Sequence, residues 1–114
     1  MVAKVRVIIL PVSGGMKVQD IENTADGYHQ LIGNWIEVFT LPEVLRERRL
    51  VGVCDEEGWL EHRPRIPNIY SSLLSQSIAG HIIITKDDGY GDFISVSDDD
   101  INLVQKYFGP FRIK

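Results

Sequence analysis

The sequence holds one cysteine, Cys54, in 114 residues. No disulfide can close within the chain, so the fold has to rest on core packing. Metal-ligand motifs are missing too. Cys54, His29, His62 and His81 stand singly, without Cys-x-x-Cys or His-x-x-x-His spacing, whereas zinc needs four ligands in a structural site or three plus water in a catalytic one. No metal or other cofactor is called for. The longest apolar runs, "VIIL" and "HIIIT", fall far short of the roughly 18 residues of a membrane span. The opening "MVAKVRVIILPVSGG" has no small-residue cleavage site and its apolar run ends at a proline, unlike a secretory signal. The expectation is a cytoplasmic protein with no membrane partner. Cations are in the minority, 12 Lys and Arg against 16 Asp and Glu for a net charge of −4, which disfavours a nucleic-acid partner held through many phosphate contacts.

What is present is 44% hydrophobic residues in a length that suits one domain spanning residues 1–114. Residues 3–11 alternate Val5, Val7 and Ile9 against Lys4, Arg6 and Ile8, the pattern of a strand. "VSGG" turns the chain into "MKVQDIE", with Met16, Val18 and either Asp20 or Ile21 facing inward, and the two make a hairpin. Asn23 or Thr24 caps a short helix burying Tyr28, Leu31 and Ile32, and Gly33 ends it. Residues 35–41 read as a third strand broken by Pro42, and "EVLRERR" as loop or short helix. "LVGVCDEEGWLEH" reads as strand, turn, strand, and "IYSSLLSQS" as a short helix. "IIIT" and "FISV" flank a loop of five to six residues in a hairpin. Ser97 then caps a final helix that Gly109 and Pro110 end. The order ββαβββαββα predicts an α+β fold, a mostly antiparallel sheet with two to three short helices on one face.

Four blocks, "YHQLIGNWIEVFTL", "CDEEGWL" followed by "RIPN", "IAGHIIIT" and "GDFISVSDDDI", resemble in order and spacing the bacterial, phage and plasmid family catalogued as domain of unknown function 3846. The resemblance covers nearly the whole chain. It implies a small intracellular accessory protein, often carried on mobile elements, with no catalytic residues to transfer. The basic insertion "VLRERRL" departs from the family's usual pattern, so any role for its arginines belongs to this chain.

The stretch "VCDEEGWLEHRPRIPN" concentrates side chains that can do chemistry. Cys54 ends an apolar run and fits the core, and no helix start follows it to lower its pKa. Asp55, Glu56 and Glu57 fit an exposed turn. The loop "KDDGYGD" lacks both the twelve-residue calcium pattern and a phosphate-loop lysine, which leaves it a hairpin turn. Arginines are the more telling feature. Arg46, Arg48 and Arg49 in one run, and His62, Arg63 and Arg65 in the next, would make a basic face if folding joins them, able to receive an anion bidentately. Asn68, Tyr70 and Ser71 follow on a proline-stiffened loop, where binding residues concentrate. These nine residues are the candidate ligand or partner site, and no catalytic set is assigned.

The functional expectation is therefore a non-catalytic binding module, taking a host protein or a small anionic, nucleotide-like ligand. The alternatives are a small enzyme acting on an anionic substrate through Asp55, Glu56, His62 or Asp92, and nucleic-acid binding through the arginines. The flat apolar end of the first strand, with Ile8, Leu10 and Val12 on the side that alternation gives to solvent, further suggests an exposed sheet edge or an uncovered apolar sheet face, and a homodimer that uses the one or the other.

Overall fold

The computed structural model describes residues 3–12, 15–33, 36–55, 68, 70–74 and 78–109. Strands β1 (Lys4–Leu10) and β2 (Lys17–Glu22) form the expected hairpin. Helix α1 (Ala25–Ile32) follows, then β3 (Ile36–Phe39), the single turn α2 (Glu43–Arg46), β4 (Leu50–Asp55), the single turn α3 (Ser71–Leu74), β5 (Ile82–Asp87), β6 (Phe93–Ile94) and α4 (Asp98–Tyr107). The sheet runs β2-β1-β5-β4-β3 with every pairing antiparallel, and β6 pairs with the end of β5. The α+β, antiparallel expectation holds. The expected strand at Trp59 and Leu60 lies outside the described residues.

The placement of the helices differs from expectation. They cover both faces of the sheet. Val5, Val7, Ile9, Val53 and Ile83 pack with Tyr28 and Ile32 of α1 on one side. On the other, Ile8, Leu10, Leu50, Cys54, Ile82 and Ile84 pack with Leu45, Leu74, Val104 and Phe108 from α2, α3 and the end of α4. The reason is in the strands: the central ones are apolar at consecutive positions, as in "VIIL" and "III", so each presents apolar side chains to both faces and both need cover. This also overturns the reading of the first strand as an edge. β1 lies between β2 and β5, Ile8 is 1% exposed and Leu10 is fully buried. The apolar alternation taken for a solvent face belongs to the second core. In β2, an edge strand, Ile21 is buried while Val18 and Asp20 are exposed.

Local signals set the ends of the elements. Thr24 Oγ1 accepts the Gly27 N–H and Gly33, at φ 137°, closes α1 through its N–H to the His29 carbonyl. Ser97 Oγ accepts the Asp100 N–H while the Asp100 carboxylate accepts the Ser97 N–H, a reciprocal capping box opening α4. Gly52 lies opposite Phe39 across the β3–β4 ladder, and its missing side chain makes the room that the Phe39 ring fills.

Candidate functional site

The arginine run folds into α2 and the turn leading to β4. Arg46 is exposed at the end of α2. Arg48 extends from the turn to Asp100, its Nε 2.5 Å from Oδ1, and Lys86 Nζ of β5 holds Oδ2 at 2.9 Å. Asp100 itself is fully buried. Burial pushes its carboxyl up, yet the Ser97 N–H, then Lys86, Arg48 and the Ser97 hydroxyl together hold it far below the usual carboxylate range. The charge of Arg48 is thus met inside the protein. Arg49 adopts φ 63°, a left-handed conformation uncommon for a side-chain-bearing residue. That conformation lets its carbonyl accept the Asp87 N–H while its Nη1 donates to the Asp88 carbonyl at 2.8 Å.

Asn68 is buried and works as a clasp. Its Nδ2 donates to the Leu10 and Gly80 carbonyls, each at 2.9 Å, and its Oδ1 accepts the Tyr70 N–H. Tyr70 is buried edge-on against Phe108, and burial pushes its hydroxyl pKa up. Ser71 Oγ donates to the Ile78 carbonyl and accepts the Ile78 N–H. Of the nine expected site residues, Arg48, Arg49, Asn68, Tyr70 and Ser71 therefore make internal contacts. His62, Arg63 and Arg65 lie outside the described residues, as do Glu56 and Trp59. Cys54 is buried, with its thiol pushed up to about 11 by burial first and then by Glu37 and Asp55. It is a protonated, inert group at neutral pH. Among the described residues no group of three His, Cys, Asp or Glu is placed to hold a metal ion.

Two features were given no binding role in the sequence, the first of them read there only as a hairpin turn. The first is the β5–β6 loop. Asp88 donates its N–H to the Asp92 carbonyl, Asp87 Oδ1 accepts the Gly89 N–H, and Asp88 Oδ1 accepts the N–H groups of Tyr90 and Asp92. Gly89 and Gly91 take φ 85° and 98°, which side chains resist. A Cβ on Gly89 would strike the Arg49 guanidinium. The loop so tied carries Tyr90 at its tip, 92% exposed. The second is a hollow of about 140 Å³ on the α1 face of the sheet, lined by Ile9, Pro11, Lys17, Gln19, Leu31 and His81. The signal for Tyr90 was its two flanking glycines. For the hollow there was none, because its residues come from four separate segments.

With this geometry in place, comparison with known proteins adds one result. The model of the family described as Domain of unknown function (DUF3846) matches residues 5–109. The chain belongs to that family. No curated protein and no solved structure matches it. The family match runs from β1 to the end of α4, so the two-faced sheet, the Asp100 ion cluster and the Tyr90 loop all fall within the DUF3846 region. Within the described residues, no helix is long and apolar enough to cross a membrane.

Proposed function

We propose that this DUF3846 protein acts stoichiometrically, as a cytoplasmic accessory protein of phage or mobile-element type that binds a host protein, with the Tyr90 loop as the contact. The observation that carries this reading is a fully presented aromatic ring on a backbone tied at both ends. Tyrosine contributes large contact area with little side-chain entropy to lose, and it is enriched at binding hot spots. A loop already held by six hydrogen bonds among its own residues and to Arg49 loses little more freedom on docking. Asp87, Asp88 and Asp92 lie within three residues of Tyr90 and make the loop acidic, so the fitting partner offers an aromatic slot rimmed by Lys or Arg. An enzymatic reading would need a titratable group with a shifted pKa in a concave site. Cys54, Tyr28, Tyr70 and Asp100, the described acids with shifted values, all sit in packed interior.

The test is site-specific crosslinking. A photoreactive phenylalanine analogue at position 90, irradiated in bacterial cells, should give one discrete adduct that wild-type protein competes away and Tyr90→Ala does not. The same analogue at Val38, exposed on the far edge strand β3, should not give it. Identical patterns at both positions, or none at 90, would count against the proposal.

A further inference from the structure

The hollow beside β2 lies at the other end of β5 from the Tyr90 loop and does not depend on the reading of that loop. Its floor is apolar: Ile9, 6% exposed on β1, the buried Pro11 that follows the strand, and Leu31 from the last turn of α1. Three exposed polar residues form its rim. Lys17 stands directly across the β1–β2 ladder from Ile9, Gln19 comes two residues on along the same face, and His81 precedes β5. His81 Nδ1 accepts the Val12 N–H at 3.2 Å, which in the neutral ring leaves the proton on Nε2 as a donor. Lys17 has three donors and Gln19 an amide. On a protein of net charge −4, no carboxylate is among the described residues that line this hollow.

We propose that the hollow is a binding site for a small organic anion, a single carboxylate on an aromatic ring or a compact branched aliphatic group. The apolar part rests on Ile9, Pro11 and Leu31, and the carboxylate meets Lys17, with Gln19 and His81 beside it. Volume sets the size of the ligand. About 140 Å³ is close to the roughly 150 Å³ that accommodates a benzene ring in an engineered apolar cavity, and it is well below the roughly 300 Å³ at which sites for larger ligands begin. A nucleotide does not fit. The rim chemistry sets the sign, since among the described lining residues a cation and neutral donors face the ligand and no acid opposes them.

Benzoate is the probe. Amide chemical shifts of the full chain should move on titration with benzoate at residues 9, 17, 19, 31 and 81, saturating in about the millimolar range expected of so small a ligand. Benzylammonium, the same size with the opposite charge, should bind at least tenfold more weakly. Lys17→Glu, an exposed edge-strand change, should weaken benzoate at least tenfold. Lys4→Glu, the same charge change at the far end of β1, should leave it within twofold, and Tyr90→Ala should have no effect. Unsaturable or scattered shifts, equal binding of benzoate and benzylammonium, or indifference to Lys17→Glu would overturn the proposal without touching the reading of the Tyr90 loop.

Discussion

Arg48 and Asp100, 52 residues apart in sequence, form an ion pair with Nε 2.5 Å from Oδ1, and it ties the turn after α2 to the first turn of α4. Lys86 on β5 holds the other carboxylate oxygen. Asp100 therefore both completes the capping box that Ser97 opens on α4 and anchors two cations from separate elements. Replacing it removes a buried charge whose partners remain. Asp100→Asn should destabilise the protein by about 3 kcal/mol, read from the midpoint of urea unfolding. Asp99→Asn, a neighbouring exposed acid, should change stability by less than about 0.5 kcal/mol.

The same carboxylate sets the acid limb of stability. Its folded pKa is depressed, so its contribution is fully present above the ordinary aspartate value near 3.9 and is lost as pH falls below it toward the folded pKa. Wild-type stability should decline below about pH 4, and Asp100→Asn should show a shallower decline. Equal slopes in the two proteins would show that other carboxylates carry the acid transition.

Cys54 gives the opposite limb. Its folded pKa is raised to about 11 while an unfolded thiol ionises near 8.5, so between those values the unfolded state sheds a proton that the folded state keeps. Stability should fall as pH rises through that interval, and Cys54→Ala should flatten the fall. Thiol labelling of the native protein at neutral pH should be slow and limited by unfolding.

Ile8 tests the sheet order. At 1% exposure between β2 and β5, it cannot take a charge without burying it unpaired. Ile8→Lys should abolish the folded circular dichroism signal. A folded Ile8→Lys monomer would instead return β1 to the edge of the sheet.

Much of the fold was legible because its signals are local. Alternation in "VRVIIL", the Thr24 and Ser97 caps and the glycines of the β5–β6 loop each act within a few residues. The covering of both faces was harder to read. Consecutive apolar residues in β1 are equally consistent with a free edge, and only the pairing of β1 with β5 across 71 intervening residues of chain decides it. The candidate site was less legible still. Clustering in sequence brought Arg48 and Arg49 to notice, but their partners Asp100 and Asp88 lie 52 and 39 residues away. Asn68 was marked for its donors and acceptor, which the structure directs to the Leu10, Gly80 and Tyr70 backbone. The glycines flanking Tyr90 mark a turn, but exposure at a loop tip has no periodicity, so nothing in the pattern pointed to the ring itself.

The measurement that bears most directly on the account is the affinity of the partner crosslinked at position 90 for wild-type protein and for Tyr90→Ala, each first shown to unfold at the same urea midpoint. Hot-spot tyrosines cost about 2 kcal/mol or more when truncated, so the account predicts at least a tenfold weakening, with raised salt weakening the wild type as well. Equal affinities at equal stability would contradict it.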